Sequence, residues 1–169
     1  KDYIKLDIFN YEKDNTKVAN ILTEFNINEK KEISIKELKY QEGKSLIIVK
    51  NLKVDKNKKI NKFDNISVKT YQNNIENNSF DIHFGRKILI NGETFDSSNL
   101  IKNIGTNSEK ENYFSNLNKA IDVNFKNVLT KLSIPISNFK LIGEVYKGKL
   151  VKITSKSEFP GDNFLDISL

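Results

Sequence analysis

The chain contains no cysteine, no methionine and no tryptophan, and only two prolines and seven glycines in 169 residues. Without cysteine there is neither a disulfide framework nor a thiolate metal site. The few glycines never fall into a G-x-G-x-x-G or G-x-x-x-x-G-K spacing, so no phosphate cradle is written into a loop. Two prolines leave long strands unbroken. No apolar run approaches the roughly 18 residues of a membrane helix, and no signal-peptide core is present.

Chemistry is equally sparse. The only histidine is His83, on the polar side of an alternating segment. Carboxylates stand mostly beside lysines, as in Glu29-Lys30-Lys31-Glu32, and read as solvated turns. A metal would need an all-oxygen site, and no EF-hand spacing occurs. Asp162 and Asp166 do not by their spacing make a two-carboxylate hydrolase. The expectation is a protein that is not an enzyme and has no cofactor and no metal site.

The net charge of +6 comes from 27 lysines and one arginine against 22 carboxylates. Arginine is the preferred residue for bidentate phosphate and base contacts, and the lysines are spread over most segments. A solvated lysine-decorated surface is therefore expected, with no nucleic acid as partner. A basic nucleic-acid-binding domain is the second alternative.

What the chain does have is alternation. Phe80 to Ile90 reads F-D-I-H-F-G-R-K-I-L-I, with Phe80, Ile82, Phe84, Ile88 and Ile90 on one parity. Asn91-Gly92 is expected to end that strand in a tight turn. Similar patterns predict strands over Tyr3 to Phe9, Ile33 to Gln41, Ser45 to Asp55, Ile60 to Tyr71, Leu150 to Ser157 and Phe164 to Leu169, and, less cleanly, Val18 to Ile27. In Ser45 to Asp55, Leu46, Ile48, Leu52 and Val54 share a parity. The phase change from Ile33 and Ile35 to Leu38 and Tyr40 predicts a bulge that curls the sheet. Ile121, Val123 and Phe125 alternate, then Phe139, Leu141 and Val145, although residues 121–132 also fit a helix. Asp96 is placed to cap a short helix over 96–104, with Leu100, Ile101 and Ile104 as its stripe and Gly105 at its stop.

The fold class expected is mainly β: a curled antiparallel sheet forming an open hydrophobic groove, with one short helix. Residues 1–104 are expected to form the first groove segment, 105–118 a polar linker or mobile loop, and 119–169 further groove strands. Lys1 in place of methionine, and a strand still running at Phe164 to Leu169, suggest a piece cut from a longer chain. Burying one large aliphatic or aromatic side chain is worth roughly 1.5–3 kcal/mol, so a continuous apolar face demands a cover. A closed β-sandwich acting as an adhesion or assembly module is the first alternative, its apolar faces simply closing on each other.

Ile88 to Ile104 pairs a strand and small turn with F-D-S-S-N-L-I-K. After a polar interval come I-D-V-N-F-K-N-V-L and S-N-F-K-L-I-G-E-V-Y-K-G-K-L-V-K-I. This order resembles the middle region of AsmA-like, YhdP-type envelope proteins, over about residues 45 to 169. The resemblance implies a repeating β-groove that conducts phospholipids in the periplasm of a Gram-negative bacterium. It also implies an inner-membrane anchor outside this chain and contact with other envelope proteins. No catalytic residues come with it. The residues expected to touch phospholipid acyl chains are Leu46, Ile48, Leu52, Val54, Phe80, Ile82, Phe84, Ile88, Ile90, Ile121, Val123, Phe125, Phe139, Leu141 and Val145.

Overall fold

The computed structural model describes residues 3–99, 114–131, 135–160 and 163–168. Thirteen strands form among them, because short runs of Ile, Val, Phe and Thr are separated by Asn, Gly and Lys turns. β1 (Lys5–Leu6) and β2 (Tyr11–Glu12) make a two-stranded ribbon around a 3-10 turn at Asp7–Phe9. The large sheet runs β13 (Asn163–Ser168), β12 (Lys149–Phe159), β11 (Ile136–Tyr146), β10 (Lys119–Leu129), β9 (Ile88–Asp96), β8 (Ile75–Phe84), β7 (Asn65–Gln72), β5 (Ser45–Val54), β4 (Ile33–Glu42) and β3 (Ala19–Ile27). The short β6 (Ile60–Lys62) pairs with β5 beside this path. Every pairing is antiparallel except β9 with β10.

The sheet is curled and not closed into a barrel, with β3 and β13 as its two edges. A pair of face-to-face sheets is therefore not what these strands build. The curl is legible in one contact set. Asn116 donates to Asp55 at 3.2 Å and to Asn61 at 2.6 Å, at the β5–β6 turn. Two residues on, Asn118 accepts from the Lys147 backbone at 2.8 Å, and Gly148 donates to the Leu117 carbonyl at 3.0 Å, at the β11–β12 turn. β5 and β11 are five strand spacings apart, about 24 Å on a flat sheet, while two residues span at most about 7 Å. A curled sheet brings both turns within reach of one short strap.

Directly paired residues share a face, so the register traces the inner face from strand to strand. Tyr40 pairs Ile47, Ile47 pairs Val68, and Val68 pairs Phe80. Leu38, Val49, Ile66, Ile82 and Ile90 form the adjoining row, and Val123 and Leu141 extend it. The bulge expected in the Ile33 to Gln41 strand is present: the β3–β4 register shifts between Glu24 and Phe25, which lets Ile35 and Leu38 both face inward.

Several expectations fail for local reasons. Phe80 to Ile90 is two strands, not one, turning at Gly85 to Lys87, while Asn91-Gly92 lies inside β9. Tyr3 to Phe9 is extended only at Lys5–Leu6, after which the 3-10 turn and a left-handed Asn10 (φ 48°) redirect the chain. Ile60 to Tyr71 breaks at Phe63-Asp64, because Phe63 turns inward onto Phe84 with ring centres 4.9 Å apart. Residues 121–129 are strand, not helix. Val18 to Ile27 is strand from Ala19 onward. The helix expected over 96–104 begins on Asp96, the last residue of β9, and Leu100 to Ile104 lie outside the described residues, as does most of the linker 105–118.

The centre of the core is aromatic. Phe80 meets Phe9, Phe95 and Phe125 edge-on with ring centres 6.0, 5.7 and 5.7 Å away, and Phe95 stacks on Phe125 at 5.0 Å. Gly92 makes room for this: a Cβ built there would stand 2.4 Å from both the Phe80 Cβ and the Ser79 carbonyl. Gly92→Ala is expected to destabilise the fold by about 1–3 kcal/mol through overpacking. Gly85→Ala, whose nearest neighbour would be 3.9 Å away, should be near neutral. Urea midpoints of the two variants check this; an unchanged midpoint for Gly92→Ala contradicts it.

Candidate functional site

The two ends of the curled sheet differ in chemistry. At one end the N-terminal ribbon seats on the inner face. Tyr11, 1% exposed, stands edge-on to Tyr40 and the two hydroxyls lie 2.8 Å apart. The Tyr11 hydroxyl also donates to the buried Glu42 carboxylate, whose other oxygen accepts from the Asp14 backbone at 3.2 Å. Beside it, Asn78 donates to the Phe9 carbonyl at 2.7 Å and Asn77 to the Asn10 carbonyl at 3.1 Å. Asp96, 6% exposed, accepts from Asn10 at 2.8 Å, from Asn77 at 3.3 Å and from the Ser98 backbone at 3.0 Å. Asp96 thus satisfies a backbone donor two residues on, as a cap does, while also holding the ribbon.

These polar groups are buried and matched with partners, so they tether the ribbon. Burial raises the Tyr11 hydroxyl well above its ordinary value, and its bonds to Glu42 and Tyr40 add to the shift. Tyr40 is raised as well, chiefly by burial. Asp14 is lowered to about 2 by the Thr16 hydroxyl and backbone and by Lys17. Its contribution to loop order is present above the ordinary aspartate range and is lost as pH falls toward that value. No group of three or more His, Cys, Asp or Glu side chains among the described residues could hold a metal. His83 is exposed on the outer face, where the register sets it between Asn65 and Leu89.

The residues expected to contact acyl chains divide into five groups. Phe80, Ile88, Val123 and Phe125 are buried by the chain itself and are core in this conformation. Ile82, Ile90, Ile121, Phe139 and Leu141 pack partly against that core. Phe84 is half-buried against Phe63, with the Lys119 ammonium 4.7 Å over its ring; Val145 is half-buried near the end of β11. Leu46 and Ile48 are on the outer face, opposite Lys69 and Ser67, because the inward residues of this stretch are Ile47 and Val49. Leu52 and Val54 do face inward: Asn51 takes a left-handed φ of 52° and resets the phase of β5.

Leu52 and Val54 belong to the part of the inner face that is not filled. Leu52 pairs with Ile35, which pairs with Phe25; Val54 pairs with Ile33 and Ile60, and Ile33 with Ile27. Phe25 and Ile27 are 58% and 57% exposed, and Ile21, two strand repeats from Phe25 on the same face, is also exposed. A second open stretch runs over β12 and β13, where Leu150, Leu165 and Ile167 are exposed. The sequence reading missed Ile21, Phe25 and Ile27 as candidates, although their i, i+4, i+6 spacing already placed them on one strand face. It also missed the Tyr11–Tyr40–Glu42 tether, since nothing local links residues so far apart in sequence.

No family model, no curated protein and no solved structure matches the chain.

Removing the Tyr11 hydroxyl leaves that buried Glu42 oxygen only the long 3.5 Å bond from the Tyr40 hydroxyl, so Tyr11→Phe is expected to cost about 1–3 kcal/mol. A second consequence follows from the raised tyrosine pKa values. Above about pH 10 the unfolded chain releases phenolic protons that the folded chain retains, so stability present at lower pH declines. Urea midpoints measured on both sides of that pH should fall for the wild type and fall less for Tyr11→Phe. Equal declines would show that the tether does not carry the alkaline sensitivity.

Proposed function

We propose that the chain holds acyl chains along the unfilled part of its inner face, as a segment of an intermembrane phospholipid transport protein in the cell envelope. The observation that carries this reading is the row Ile21, Phe25, Ile27, Ile33, Ile35, Leu52 and Val54, a contiguous apolar surface on three neighbouring strands. Its β3 members are more than half exposed. Exposed apolar surface of this kind marks a binding site, and a curved sheet offers tails a trough while head groups stay wet. The filled stretch around Phe80 then acts as scaffold. On this reading the binding is passive and needs no cofactor. A periplasmic location and an inner-membrane attachment outside this chain belong to the same proposal, by resemblance to the AsmA-like pattern.

Organic extraction of the purified protein followed by mass spectrometry should recover phospholipid or fatty acid, and a fluorescent acyl probe should bind the delipidated protein. Phe25→Asp should weaken probe binding about tenfold or more, the loss of one large apolar contact, with an unchanged melting curve. Phe80→Asp should unfold the protein, since it places an unpaired charge in the core. Lipid-free protein that takes up no acyl probe would defeat the reading, and so would a Phe25→Asp variant that binds as the wild type does.

A further inference from the structure

The turns at one end of the sheet are basic. Residues 28–32 join β3 to β4 and carry Lys30 and Lys31; residues 55–59 join β5 to β6 and carry Lys56, Lys58 and Lys59. Residues 85–87 supply Arg86 and Lys87, and Lys147 and Lys149 flank Gly148. The register puts all four at the same end, since Ile27 pairs Ile33, Ile33 pairs Val54, Phe84 pairs Ile88, and Ile88 and Val145 lie at the start of β10. These short segments hold nine basic side chains against three carboxylates, Glu29, Glu32 and Asp55, a net +6 that equals the charge of the whole chain. The remainder of the molecule is neutral in sum. At the opposite end, Lys13, Lys17 and Lys44 stand together with Glu12, Asp14 and Glu42, with no net charge.

The backbone gives a second, independent observation. Among the described residues, the non-glycine positions with positive φ are five asparagines and three lysines. Asparagine tolerates the left-handed region, and lysine has no such advantage. The three lysines are Lys31 (φ 61°), Lys58 (φ 62°) and Lys147 (φ 50°), one in each of three basic turns. Turn geometry alone would favour asparagine or glycine there, as at Asn73, Asn74 and Gly43. At these three positions lysine stands where the backbone conformation favours asparagine or glycine.

Between the basic turns, apolar side chains reach solvent: Ile27 at 57%, Tyr146 at 55%, Val151 at 48% and Leu150 at 42% exposure. The Lys147 ammonium lies 5.3 Å over the Tyr146 ring. We infer that this rim docks on an anionic membrane surface, its lysines meeting lipid phosphates and its apolar residues entering the head-group layer. Interleaved apolar side chains and a single arginine favour a lipid surface over a nucleic acid, which would be read by arginine and by aromatic platforms. The docking stands on the charge and exposure of the rim, independently of the acyl-chain trough, whose open β3–β6 face runs up to this same rim.

The test is sedimentation of the purified chain with phosphatidylcholine vesicles, with and without about one-third phosphatidylglycerol. The expected result is binding only to the anionic vesicles, weakening as salt is raised. The variant Lys31→Asn/Lys58→Asn/Lys147→Asn should fold with an equal or higher melting temperature, because asparagine suits the left-handed positions. Each basic residue near an anionic surface contributes about a fivefold gain in partitioning, so this variant should bind the vesicles about a hundredfold more weakly. No binding to anionic vesicles, equal binding to both vesicle types, or undiminished binding by the folded triple variant would overturn the inference. Salt-sensitive retention of single-stranded DNA without vesicle binding would overturn it in favour of a nucleic-acid surface. Vesicle binding by protein that carries no extractable lipid and takes up no acyl probe would uphold the docking while the acyl-chain reading fails.

Discussion

A single wide sheet with one apolar face has to hide that face without a second sheet, and the structure depends on how this is done. Curling brings the inner faces of β4 to β10 around one aromatic centre, where Phe80 is surrounded by Phe9, Phe95 and Phe125. The curl is helped by bulges, which bend the strands and increase their twist, at β3–β4, at Ser79–Phe80 and at the β11–β12 pair. It also requires a place where side chains converge too closely for a Cβ, which is Gly92. Where the curvature is tightest the chain fills its own interior. Where the sheet opens out, at β3 and β13, the same kind of apolar row is left facing solvent.

Closure at the two ends uses polar bonds, because the ends are where backbone groups emerge from the ladder. At the ribbon end the bonds are buried, and Glu42, Asn78 and Asp96 each meet donors or acceptors from residues 9 to 14 or from the turns nearby. At the basic end Asn116 and Asn118 are exposed on either side of the buried Leu117, and the bonds of these two asparagines compete with water. The ribbon end is therefore the firmer of the two.

Edge strands with exposed apolar side chains invite pairing with other chains. The outer face answers this partly with cross-strand charge pairs, Lys36 with Glu24 next to the β3 edge and Lys156 with Asp166 on the β13 edge. Exposed pairs of this kind contribute little stability. They add charge to the outer face, where Leu22 of β3 and Phe164 of β13 are also exposed.

Strand content, alternation and the bulge in the Ile33 to Gln41 segment were legible in the sequence, because period-2 patterning is a local signal. Side-chain facing was legible only where no left-handed residue intervened. Leu46 and Ile48 were misplaced because Asn51 resets the phase of β5 by a backbone angle that composition does not reveal. Phe80 to Ile90 looked like one strand because the hairpin turn at Gly85 to Lys87 preserves parity across itself. By itself the sequence determined that the chain is mainly β, that each strand has one apolar face, and that its lysines outnumber its acids. Tertiary structure alone decided which apolar rows are filled by Tyr11 and Phe9 and which stay open, and that the surplus positive charge gathers at one rim. Both are consequences of curvature, a property of the whole sheet that no single strand encodes.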